Sequence, residues 1–156
     1  MENKTMIRTV TGSIFDASRA EGIAVFIPMG LVGIRLEAES FVRSFGATDL
    51  RPKKMVICSL PEPFNGVARH LVLFDNLEME INTVEDMREQ VNETLDAFAK
   101  LGARTVAMNG IRSRTLPDKT TRPEQYQRQF VEEYLENHPF AFETIWLVDK
   151  RGGFDK

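Results

Sequence analysis

The sequence has one cysteine and two histidines in 156 residues, and this scarcity excludes more chemistry than any motif supplies. A lone Cys58 forms no internal disulfide, and "MVICSL" places it in an apolar run where a reduced, inert thiol is expected rather than a nucleophile. Neither His70 nor His138 neighbours it in sequence, so neither a Cys/His pair nor a zinc site is expected. The chain contains no G-x-S-x-G elbow, no P-loop and no G-x-G-x-x-G fingerprint. Excess positive charge is missing too: 20 Lys and Arg stand against 23 Asp and Glu, a net −3. A protein that binds nucleic acid through its backbone needs a basic face to release counterions, so no nucleic-acid partner is expected. No apolar run approaches the roughly 18 residues of a membrane span, and "MENKTMIRTV" lacks the long hydrophobic segment of a secretion signal. The expectation is a cytoplasmic protein with no membrane partner and no cofactor. Repeats, low-complexity tracts and Gly/Ser linkers are absent, which argues for a single domain over residues 1–156.

What is present is the composition of a globular domain, 42% hydrophobic and 28% charged. Short β-rich runs occur at 6–10, 22–28, 54–60, 69–75, 104–109 and 143–149. Most are continuously apolar, as strands covered on both faces must be, whereas "MIRTV" alternates and suits an edge. Between the runs lie helical patterns. In the clearest, Val84, Met87, Val91, Leu95 and Phe98 recur at three- and four-residue spacing, with Thr83 as N-cap and Gly102 as the left-handed stop. Another starts near Pro123, turns Tyr126, Phe130, Tyr134 and Leu135 inward, and ends at His138-Pro139. A shorter one spans 36–45. Helices between buried strands imply parallel crossovers, while only a turn-rich loop separates 54–60 from 69–75, so those two pair antiparallel. The expected fold class is α/β, three layers with a mixed, mostly parallel central sheet.

In an open α/β sheet, ligands bind beyond the carboxyl ends of the strands. The loops leaving those ends are "PMGLVGIR" (28–35), "DNLEMEINT" (75–83) and "NGIRSRTLPD" (109–118). Pro28, Gly30 and Gly33 allow close backbone approach to a phosphate, although such a glycine pair also serves an ordinary turn. Arg112, Arg114, Lys119 and Arg122 form a positive cluster that either holds an anion or is a solvated loop balancing Asp118 and Glu124. Asp75 and Asn76 end a strand at the same edge, where a turn explains them without function. His70 opens a strand and suits an edge position as well as any catalytic one, and His138 suits a helix C-terminus.

The order of elements resembles the macro domain family, an ADP-ribose-binding α/β module, over nearly the whole chain. "TGSIFD" is similar to the family's Gly-Asp-Ile-Thr segment, and "GIAVFIPMG" resembles the strand leading to its Asn-Ala-Ala-Asn motif. "ESFVRSFG" resembles the helix after the glycine-rich loop, and "PFNGVARHLVLFDN" the segment Tyr-Asn-Leu-x-x-(Lys/Arg)-(Tyr/His)-Val-Ile-His. The stretch from Val106 to Asp149 resembles the second phosphate loop, final helix and last strand. The functional letters depart from the pattern. Ser13 stands where the family's adenine-binding aspartate would be, with Asp16 as a substitute if the loop shifts. Phe26 and Met29 replace the motif's two asparagines, "GLVGIRLEA" replaces a run of glycines, and Arg114 replaces the second loop's glycine.

The resemblance implies a binder of ADP-ribose or a related phosphorylated nucleotide, with little or no catalysis because the asparagine and glycine loop are degenerate. Its implied site is Gly12, Ser13, Ile14, Pro28, Met29, Gly30, Leu31, Gly33, Gly110, Ile111, Arg112, Ser113 and Arg114. There the backbone amides of 30–34 and 111–115 are expected to hold an anion. Two alternatives stay open. One is a hydrolase of ADP-ribosyl or phospho-ribosyl bonds that positions water with Asp16, Asp75 or Asn76; the other is a scaffold whose cleft has filled with Phe26, Met29 and Leu31 and which binds a protein or a second copy of itself.

Overall fold

A computed structural model describes residues 4–14, 20–27, 55–64, 68–75, 83–111, 121–149 and 152–155. The strands are β1 (Met6–Thr11), β2 (Gly22–Ile27), β3 (Met55–Phe64), β4 (Ala68–Asp75), β5 (Thr105–Asn109) and β6 (Thr144–Asp149). They form one sheet in the order β1-β6-β5-β2-β4-β3. Every neighbouring pair is parallel except β3 and β4, so the mixed sheet and its antiparallel pair stand as expected. The expected helix at 36–45 lies outside the described residues.

The continuous apolar runs are continuous because both faces of the sheet are covered. Ile23, Ala24, Val25 and Phe26 are all buried, as are Leu71, Val72, Leu73 and Phe74. Alternate side chains of a strand point to opposite faces, and Ala24, Phe26, Val72, Phe74, Val106, Met108, Ile145 and Leu147 share one core cluster with the two described helices. On the opposite face Ile23, Val25, Leu71, Leu73, Ala107 and Val148 are equally buried. β1 is an edge strand whose residues alternate between exposed and half-buried, the pattern that "MIRTV" carries.

Helix α1 (Val84–Leu101) starts where Thr83 Oγ1 accepts the Asp86 N–H at 3.0 Å, and stops where Gly102 turns left-handed at φ 76°. Its apolar stripe of Met87, Val91, Leu95 and Phe98 is fully buried, each side chain contributing about 1.5–3 kcal/mol of burial. Helix α2 (Pro123–Asn137) begins at the expected proline and buries Gln127, Phe130, Val131 and Tyr134, with Tyr126 and Leu135 partly covered. A short 3₁₀ helix (Gly153–Asp155) follows β6 and seats Phe154 in the same core.

The edge placement expected for His70 is corrected. β4 runs between β2 and β3, and His70 is 9% exposed, its Nδ1 2.7 Å from the Ser59 Oγ on β3. The polar tip of His70 is satisfied across the antiparallel pair, which lets a polar ring sit inside the sheet.

Candidate functional site

β2 and β5 mark the point where the topology turns. The chain leaves β2 toward β3 and β4 on one side, and leaves β5 through α2 toward β6 on the other. Connections that diverge in this way leave a crevice beyond the carboxyl ends of the two strands. The backbone geometry agrees: β2 pairs with β5 only at Gly22↔Val106, Ile23↔Ala107 and Ala24↔Met108. On its other side β2 continues in register with β4 as far as Ile27↔Asp75, and β5 continues with β6 as far as Asn109↔Val148. The pairing therefore ends on the β5 side where the 109–118 loop begins, and on the β2 side three residues before the 28–35 loop.

Two carboxamides hold the crevice. Asn109 Oδ1 accepts the Phe26 N–H at 2.7 Å, and its Nδ2 donates to the Phe26 carbonyl at 3.0 Å. Behind it, Gln127 on α2 is wholly buried; its Nε2 donates to the Asn109 carbonyl at 2.8 Å and its Oε1 accepts the Ile111 N–H at 2.7 Å. Gln127 thus satisfies the backbone of the chain leaving β5 just as a neighbouring strand would. Sequence reading missed both residues. The signal for Gln127 was its place on the inward stripe of α2, three residues before Phe130 and four before Val131, where a polar side chain needs a buried partner.

The β6 exit adds a carboxylate. Asp149 is 6% exposed; its Oδ2 accepts the Gly153 N–H at 2.7 Å and its carbonyl accepts the Gly12 N–H at 3.0 Å. A Cβ built on Gly153 would lie 2.9 Å from Asp149 Oδ2 and 3.0 Å from Glu124 Cγ, so two acidic side chains crowd the start of α2. Beside them Arg122 donates from Nη2 to the Gly153 carbonyl at 3.0 Å.

Of the predicted site residues, Gly12, Ser13 and Ile14 follow β1, and Gly110 and Ile111 follow β5, all at the carboxyl edge of the sheet. Pro28, Met29, Gly30, Leu31, Gly33, Arg112, Ser113 and Arg114 lie outside the described residues, as do Asp16, Asn76 and Lys119. One expectation is corrected within the described set. The Ile111 amide, first of the predicted anion-holding run, is spent on Gln127 in the interior, and the Gly12 amide is spent on β6. Phe26 is also reassigned: its ring is 1% exposed and stacks on Phe74 with centroids 5.6 Å apart, as part of the helix-side core.

The histidines sit away from this edge. His70 pairs with Gly22 at the amino end of the parallel strands, and burial, followed by the Arg69 charge, lowers its pKa against a smaller opposing pull from Glu21. His138 caps the C-terminus of α2, its ring stacked on Tyr134 at 4.2 Å. Tyr134 donates to Asp96 at 2.8 Å, and its burial beside that carboxylate raises its pKa. These residues, with Asn92, Glu133 and Asn137, line a polar groove of about 360 Å³ between the helices. Among the described residues no three His, Cys, Asp or Glu side chains gather to hold a metal, and no helix is long and apolar enough to cross a membrane.

Known structures share the fold. The macrodomain of Thermus aquaticus DarG superposes with a TM-score of 0.60 over 93% of this chain and 99% of its own, at 13% identity. The chain has the macrodomain fold. A Trypanosoma brucei macrodomain solved in complex with ADP matches at TM-score 0.67 and 13% identity, over 93% of this chain and 64% of that one. The macro domain of ganglioside induced differentiation associated protein 2 matches at 0.63 and 12%, over 94% and 78%. No protein-family model and no curated protein matches the sequence. The macrodomain fold is therefore kept here at a level of identity where side chains have been extensively replaced.

Proposed function

We propose that the chain binds ADP-ribose or a related phosphorylated nucleotide across the carboxyl edge of its sheet, with little or no catalysis. The observation that carries this reading is the parting of β2 from β5 after Ala24 and Met108 at the topological turning point. Similar structures support it: Trypanosoma brucei macrodomain was solved in complex with ADP and in complex with ADP-ribose. Size supports an extended ligand. From the β1 exit at Gly12–Ile14 to the β2 exit there are three strand spacings, about 14 Å at ~4.8 Å each, too far for a lone phosphate and suited to a molecule with two recognisable ends.

The proposed contacts are Gly12, Ser13, Ile14 and Gly110 among the described residues, and the loops at 28–33 and 112–114 beyond them. A binder is favoured over a hydrolase because both histidines stand at the amino end of the sheet, away from the crevice, and the Asp149 carboxylate at this edge is engaged by the Gly153 N–H. Calorimetric titration with ADP-ribose tests the reading. Saturable heat with one ligand per chain is expected, and no heat and no thermal shift at millimolar ligand contradicts it.

A further inference from the structure

Asn109 stands where two parallel strands stop pairing although each keeps its other neighbour. At that point its carboxamide meets both polar groups of the Phe26 peptide backbone, accepting from the N–H and donating to the carbonyl. These are the groups Phe26 would present to a directly paired strand. A carboxamide has the same donor and acceptor as a peptide unit, but it is carried outward on a side chain. It therefore completes the ladder while holding the backbones further apart than the ~4.8 Å of direct pairing. Gln127 fixes the bridge from behind, because its bonds to the Asn109 carbonyl and the Ile111 N–H prevent β5 from sliding along β2.

We propose that Asn109 is a positioning residue of the nucleotide site, its side-chain amide setting the width of the crevice between β2 and β5. The proposal rests on the reading of this edge as the ligand site. It explains why an asparagine ends a strand that is otherwise apolar from Val106 to Met108. Only a short side chain with one donor and one acceptor satisfies both Phe26 groups. An ionised aspartate offers two acceptors and faces the Phe26 carbonyl with no hydrogen, whereas a protonated aspartic acid again offers one of each.

That difference supplies a test that a pH-independent packing defect would not mimic. ADP-ribose is titrated by calorimetry into the wild type, Asn109→Asp and Asn109→Leu at pH 8 and pH 5, with each variant compared with the wild type at the same pH. At pH 8 the Asp variant is expected to bind about tenfold or more weakly, and at pH 5, where the Phe26 carbonyl facing the introduced carboxyl lifts its pKa above the ordinary value of about 3.9, to recover part of that loss. The Leu variant stays weak at both. Wild-type affinity in Asn109→Asp at pH 8, or a loss that does not change with pH, overturns the proposal. If the wild type itself binds no ADP-ribose, the nucleotide reading falls, and the bridge is judged on urea unfolding alone. The Asn109→Asp midpoint must then rise toward that of the wild type as pH falls, and a constant difference overturns the bridge.

Discussion

Gln127 is a polar side chain in a position the helix gives to its core, and its two backbone partners make it a structural residue of the carboxyl edge. Replacing it with leucine keeps the volume and strands a buried N–H and a buried carbonyl, so Gln127→Leu is expected to cost about 2–4 kcal/mol. Urea unfolding measures this, and an unchanged midpoint contradicts the bracing role. His70 offers a second residue-scale check. Its pKa is depressed in the fold, chiefly by burial and then by Arg69, so the unfolded chain takes up a proton first as pH falls. Its contribution is complete above the ordinary value of about 6.5 and is lost as pH drops through the lower folded value. The urea midpoint of the wild type should therefore fall more between pH 7.5 and 5 than that of His70→Asn; parallel curves contradict the assignment. At this scale the sequence was least legible. Asn109 and Gln127 look like ordinary polar residues until the fold places Phe26 and Ile111 beside them, because each partner is a backbone group 16 or 83 positions away.

Elements were far more legible, because strand and helix signals are local. Continuous apolar runs marked the strands within a residue or two, except that β3 runs on to Phe64 through two prolines. Proline breaks a ladder, yet β3 is an edge strand with an irregular register between Ser59 and Phe64, where missing N–H groups are tolerated. Helix α1 was legible end to end, since its cap, stripe and stop are all written in neighbouring residues. Thr83→Ala removes the side-chain acceptor for the Asp86 N–H and is expected to cost about 1 kcal/mol. Thermal unfolding followed by circular dichroism checks this, and Thr83→Ser should restore most of the loss.

For the whole molecule, strand order sets the topological turning point. The outward divergence of the chain at β2 and β5 does not depend on which side chains line that edge, and the fold matches known macrodomain structures at 12–13% identity. At this edge the Phe26 ring belongs to the core, and the Asn109 carboxamide on the neighbouring strand bonds the Phe26 backbone. The amide spectrum of isotope-labelled protein titrated with ADP-ribose tests the central claim most directly. Shifts concentrated at Gly12, Ser13, Ile14, Phe26, Asn109 and Gly110, with His70, His138 and Tyr134 unmoved, are the predicted result. Shifts confined to the amino edge or to the groove between the helices, or none at saturating ligand, would contradict it.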